Sequence, residues 1–208
     1  MIPSHALLIM GAYLVGSIPF GLLAGKLRGL DIRKHGSGNI GTTNVFRICG
    51  KELGITVFIL DLLKGLVPVL CAQRFAPGTE GVIPILSGVG AIMGHNFPLW
   101  LKFKGGKGIA TSAGVLGGLL PWALLFATLA WILTFVFTRY VSLASIASAS
   151  ALPVTVAIST FRSDGQRPLS YLIFAVLIGG LAIWRHRTNI QRLRAGTEPR
   201  FARKTSAS

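Results

Sequence analysis

Six apolar runs, near residues 4–26, 53–73, 82–98, 122–138, 142–160 and 169–186, leave this chain few ways to fold. Each approaches the roughly 20 helical residues that cross a hydrocarbon core of about 30 Å. Inside lipid such a run satisfies its own backbone only as a helix, so an all-α integral membrane protein is predicted. Composition agrees, with 51% hydrophobic and 13% charged residues and a mean hydropathy of +0.64. A net charge of +15, from 21 Lys and Arg against 6 Asp and Glu, would suggest nucleic acid in a soluble protein. Here the cations sit between apolar runs and in the tail. They point instead to membrane orientation, anionic lipid and phosphorylated substrates, with no nucleic-acid partner.

The run from Gly108 to Thr138 does not fit one span. As a single helix it would be about 46 Å long, and it contains Gly117, Gly118 and Pro121. An interior proline costs a helix about 3 kcal/mol, so a short helix over 108–119 and a fuller one from 122 are expected. That makes a seven-helix bundle with a short fourth helix, the N-terminus outside and the C-terminus cytoplasmic. In this arrangement the inner segments collect every basic residue except Lys64, within a span, and Arg74, Arg162 and Arg167 outside. One long span would turn the basic tail outward, against the positive-inside bias. The apolar N-terminus has no cation before Lys26 and reads as a retained span, not a cleaved signal. Cys49 and Cys71 fall on opposite sides of the bilayer, which argues against a disulfide, and they offer no metal spacing. The whole chain, 1–208, reads as one transmembrane domain whose last residues, RKTSAS, are a frayed end.

Two polar stretches interrupt this apolar background, Ser37–Arg47 (SGNIGTTNVFR) and Gly94–Thr111 (GHNFPLWLKFKGGKGIAT). The first overlaps a literal G-x-G-x-x-G over 36–41, but no strand precedes it, so a dinucleotide fold is excluded by context. Its physical content remains: glycines let amides approach an anion, and Ser37, Asn39, Thr42, Thr43 and Asn44 add side-chain donors. Arg47, near the end of what reads as a loop, adds a charge-assisted clamp for phosphate; the alternative is an arginine that meets lipid headgroups. In the second stretch Lys107 is followed by Gly108 where a Walker motif needs Ser or Thr. What survives is a glycine-rich turn opening a short helix, whose N-terminal amides and dipole favour an anion, with Lys107 as a full charge.

His95 and Asn96 close the third span beside that turn, where a lone histidine is either a hydrogen-bonded structural residue or, this near Lys107, a substrate-binding one. Asp61 and Lys64, about 12 Å into the second span, share a helix face and are expected to pair inside the bundle; a transport pathway would use such a pair too. Ser142 and Ser145 begin the sixth span, where small polar residues also serve helix packing. His186 and Asn189 close the seventh span, placed for a polar ligand, and Glu198 stands alone in a basic tail, either to neutralise an arginine or to order the tail. The map predicts that both polar stretches, the Tyr140–Ser142 turn and the tail lie on the cytoplasmic face and serve one site.

SGNIGTTNVFR, LDLLKG, GHNFPLWLKFKGGKGIATSAG, RYVSLASI and HRTNIQRLRAGTE, in that order, resemble the bacterial acyl-phosphate:glycerol-3-phosphate acyltransferases, the PlsY family, from about Gly16 to Glu198. The resemblance implies a multi-pass enzyme of the bacterial cytoplasmic membrane with its site at the cytoplasmic face. It implies acyl transfer from acyl phosphate to the 1-hydroxyl of glycerol 3-phosphate, giving lysophosphatidic acid and phosphate for phospholipid synthesis. No cofactor, metal, acyl-CoA or acyl carrier protein is implied. Ser37, Asn39, Gly41, Asn44 and Arg47 match the first motif, His95, Asn96, Gly106 and Lys107 the second, and Ser142, His186, Asn189 and Glu198 the later ones.

Acyl phosphate is already activated, and the sequence shows no Ser-His-Asp set, so catalysis is expected to be positioning plus charge. The hydroxyl proton is expected on a phosphate oxygen of the donor, with His95 and His186 as the other candidates, because neither histidine has an evident orienting carboxylate in the sequence. An anion transporter using the broken fourth helix and the Asp61–Lys64 pair, and a noncatalytic lipid-binding scaffold, are the alternatives.

Overall fold

A computed structural model describes residues 2–79, 81–162 and 168–201, and helix is the only regular structure among them. The expected frayed end, 203–208, lies outside the described residues. The chain divides into two compact units, Met1–Pro121 and Trp122–Ser208.

The first unit opens with α1 (Ile2–Gly16) and α2 (Phe20–Leu27), which together form the first apolar span but are interrupted at Ser17–Pro19. Pro19 lacks the amide that would continue the ladder. The Ser17 hydroxyl and amide both return to the Tyr13 carbonyl, at 2.8 and 2.9 Å. The short α3 (Thr42–Cys49) follows, then the 25-residue α4 (Lys51–Phe75), which carries Pro68 internally, α5 (Val82–Asn96) and the 11-residue α6 (Ile109–Leu119). Small residues set the spacing of these helices. A side chain at Gly16 would strike the backbone of Ala91 on α5, and one at Gly65 on α4 would strike the Thr111 carbonyl on α6. Backbones approach this closely in membranes because packing, not a hydrophobic drive, holds the helices together. The Tyr13 hydroxyl adds a 2.8 Å bond to the Phe97 carbonyl, tying α1 to the end of α5.

Ser37–Arg47 was expected to be a loop, but from Thr42 onward it is α3. Val45 and Cys49, four residues apart on one face, pack into a buried cluster with Leu22, Ile32, Ile40 and Val57. That burial turns a donor-rich segment into helix. The expected split of the 108–138 run is observed: α6 ends at Leu119, Leu120 (φ −145°, ψ 64°) leaves the helix, and a new helix begins at Pro121.

The second unit comprises α7 (Pro121–Thr138), α8 (Val141–Arg162), α9 (Leu169–Arg185) and α10 (Arg187–Arg194). Its buried side chains include Ala149, Leu152 and Val156 of α8 and Phe174, Ala175 and Ile178 of α9. α9 and α10 meet at a 54° bend.

Five helical segments among the described residues are long and apolar enough to cross a membrane, or six if the bent α9–α10 pair is one span. α6 is apolar but only about 16 Å long. Exposure is inverted relative to a soluble protein. Phe137 is 83% and Phe161 76% exposed, whereas Ser17, Asn44, Asp61, Lys64, His95, Asn96 and Thr111 are buried. Large apolar side chains facing outward on every long helix are those of a membrane protein.

Candidate active site

Each unit carries its own share of the expected residues. In the first, Asp31 and Asn44 shape the segment before and through the first polar stretch. Asp31 caps a single 3-10 turn (Ile32–Lys34) and meets Arg33 at 2.7 Å. Hydrogen bonds from Arg33 hold the Asp31 carboxyl down at about 2. The His35 Nδ1–H donates to the Asp31 carbonyl at 2.9 Å. Asn44, buried on α3, gives its amide to the Ile32, His35 and Asn39 carbonyls (3.3, 3.0 and 2.9 Å) and accepts from the Ser37 amide at 3.0 Å. Its polar atoms are thus spent on loop backbone. Asn39 takes the Gly41 amide at 2.8 Å, which sets the start of α3. Ser37 and Arg47 are exposed, Arg47 on the last turn of α3.

The second stretch is folded onto His95. The amides of Gly105 and Gly106 return to the carbonyls of Asn96 and His95, both at 3.1 Å. A side chain at Gly106 would collide with His95 Nε2, and one at Gly108 with the Asn96 side-chain oxygen. Gly108 adopts φ 80°, the left-handed conformation that suits glycine, and from there α6 begins with its first amides beyond the half-buried Lys107. Leu101, in the 3-10 turn Leu99–Leu101, packs on the cluster that holds Ile40 and Val45. One apolar cluster therefore supports both polar stretches.

Asp61 and Lys64 pair as expected, at 2.7 Å, with side chains only 2% and 3% exposed. Lys64 also donates to the Ile18 carbonyl at 2.9 Å and lies 5.4 Å from the Phe20 ring centroid. It thereby satisfies a backbone oxygen released where the first span breaks. One expectation is overturned here. His95 does have a carboxylate neighbour, since Asp61 Oδ1 lies 3.7 Å from His95 Nδ1. The two residues are distant in sequence, on α4 and α5, and no local pattern pairs them. The available signal was the intramembrane carboxylate itself.

In the second unit Glu198 gathers the expected residues. Its carboxylate accepts from Asn189 Nδ2 and from Arg192 Nε, each at 2.7 Å. Burial would push this carboxyl up, but Ser142, Asn189 and Arg192 facing it, together with the Arg192 charge, outweigh burial and hold it below its ordinary 4.5. Glu198 thus both neutralises an arginine and orders the tail. Phe201 donates its amide to the Arg139 carbonyl at 2.9 Å, and Arg200 lies 5.0 Å from the Tyr140 ring centroid. His186 sits at the α9–α10 bend, with Nδ1–H donating to the Ala182 carbonyl at 2.8 Å. Ser145 bonds to the Val141 carbonyl and accepts from Trp131, a packing role.

The glycerol-3-phosphate acyltransferase family profile matches residues 6–196. This chain belongs to that family. A glycerol-3-phosphate acyltransferase of Desulforamulus reducens is 49% identical over 95% of this chain and 96% of its own length. That of Aquifex aeolicus is 44% identical over 93% and 97%. Among solved structures, the glycerol 3-phosphate form of PlsY, described as an integral membrane glycerol 3-phosphate acyltransferase, superposes with a TM-score of 0.88 at 42% identity, covering 96% of each chain. The lysophosphatidic acid form of PlsY gives 0.85 at the same identity and coverage. The resemblance drawn from the motifs therefore extends over nearly the whole acyltransferase chain and its fold.

Proposed function

We propose that this protein transfers an acyl chain from acyl phosphate to the 1-hydroxyl of glycerol 3-phosphate, releasing lysophosphatidic acid and inorganic phosphate. In this reading it crosses the bacterial cytoplasmic membrane seven times, with α6 as a short fourth span, the N-terminus outside and the chemistry at the cytoplasmic face. The observation that carries the reading is the close match to an acyltransferase solved with glycerol 3-phosphate and with lysophosphatidic acid. Cationic and amide-bearing stretches laid on one buried cluster support it.

Arg47, Lys107 and the opening amides of α6 bind phosphate and offset charge on the leaving group. Ser37, Asn39, Gly41 and Asn44 hold the first stretch in shape; His95, Asn96 and Gly106 form the second. Ser142, His186 and Asn189, all in the second unit, are further candidates for substrate binding, and Glu198 bonds to Asn189. The hydroxyl oxygen attacks the acyl carbonyl carbon, the bond from that carbon to the phosphate oxygen breaks, and the hydroxyl proton passes to a phosphate oxygen of the donor.

Purified protein supplied with acyl phosphate and glycerol 3-phosphate should release phosphate and lysophosphatidic acid in equal amounts. Acyl-CoA in place of acyl phosphate should give neither. Product from acyl-CoA alone would overturn the donor assignment. His95→Gln and His186→Asn then locate the proton acceptor. A loss on the order of 10³ in kcat at unchanged KM for either would make that histidine the base, whereas the route through the substrate predicts smaller losses.

A further inference from the structure

We propose that Asp61, with Lys64 as its counter-ion, is the positioning residue for His95: it directs the imidazole proton to Nδ1 and turns Nε2 toward the Gly105–Lys107 turn. This deepens the acyl-transfer reading and rests on His95 serving that site. The geometry begins with a single atom. Asp61 Oδ1 lies 2.7 Å from Lys64 Nζ and 3.7 Å from His95 Nδ1, sealed from solvent on α4. A ring nitrogen presenting its lone pair to a carboxylate oxygen at that separation is repelled, while one presenting N–H is attracted, and burial leaves the difference poorly screened. The proton therefore belongs on Nδ1. Nε2, at the far edge of the ring, lies against Gly106, where any side chain would collide with it.

Lys64 completes the arrangement. Its ammonium is held from a second side by the Ile18 carbonyl at the break between α1 and α2, which ties the pair on α4 to a second element. As a stability device alone the pair is a weak choice, because desolvation of a buried pair offsets much of its attraction and apolar replacements often hold helices equally well. The 3.7 Å approach to the imidazole gives the pair a task that apolar residues could not perform.

Nitrogen-15 NMR of histidine-labelled wild-type protein tests this without substrate, with the His95 signals assigned by their loss in His95→Gln. The expected spectrum is that of one tautomer, Nδ1–H with an unprotonated Nε2; an Nε2–H tautomer would overturn the proposal. Asp61→Asn alone strands Lys64 and can fail to fold, so the second arm uses Asp61→Asn/Lys64→Met, checked for an unchanged melting temperature in detergent. This variant should mix the two tautomers and lose about 10- to 100-fold in kcat with KM for glycerol 3-phosphate nearly constant. A folded double variant with an unchanged His95 spectrum or an undiminished kcat would also overturn it. Should wild-type protein show no acyl transfer, the acyltransferase reading fails, while the tautomer result still decides the role of Asp61.

Discussion

At the scale of single residues, the site is built by closeness as much as by charge. Gly106 packs on His95 Nε2 with no room for a methyl group. Gly106→Ala is therefore expected to displace the ring and lower kcat about 10- to 100-fold while the protein stays folded. Gly11→Ala, on α1 with open space around it, should leave turnover unchanged in the same phosphate-release assay. In the proposed site Arg47 and Lys107 act differently, through charge on phosphate. Arg47→Ala should raise KM for a phosphate-bearing substrate about tenfold or more, and Arg47→Lys should recover only part of that, because a point charge cannot form a bidentate pair. The chemistry-bearing residue types were legible in the sequence. What each one does was less so. Asn44, expected as a ligand donor, also braces the loop, since only the fold reveals that its amide donates to loop carbonyls.

At the scale of elements, local pattern read the helix breaks unevenly. Pro121 after two glycines announced the end of α6, and the structure ends it at Leu119. Pro19 carried the same kind of signal but was absorbed into an apolar run, and the break between α1 and α2 became visible only with Lys64 on the Ile18 carbonyl. α3 was masked by its polar residues, although Val45 and Cys49 already had helical spacing. The tail segment around Glu198 makes a prediction of its own. Its carboxylate bonds to Asn189 and Arg192, so Glu198→Gln should free α10, seen as faster hydrogen exchange over 187–194 and a loss of about 1–3 kcal/mol. The pH dependence follows from the sign of the shift. A carboxyl held below its ordinary 4.5 contributes stability that is present above that value and lost as pH falls through the lower, folded one. The wild-type tail should therefore loosen on acidification below about 4.5, and Glu198→Gln should show no such acid step.

At the scale of the whole molecule, the fold class was written in the apolar runs, because lipid leaves the backbone no alternative to helix. The proposed count of seven spans depends on α6, too short by itself to cross a bilayer and counted on the positive-inside distribution of cations rather than on length. The long-range pairing of Asp61 with His95 was beyond the reach of pattern, since it is made by packing between separate helices. The central claim is that the two polar stretches serve phosphates from one side of the membrane, the cytoplasmic one. It is tested most directly by sidedness of labelling in vesicles of known orientation. With Cys49 and Cys71 replaced by Ala, single cysteines are placed at the exposed positions Lys51, just after α3, and Lys104, in the second stretch. A membrane-impermeant maleimide should modify both from the cytoplasmic side alone; modification of the two from opposite sides would contradict the account.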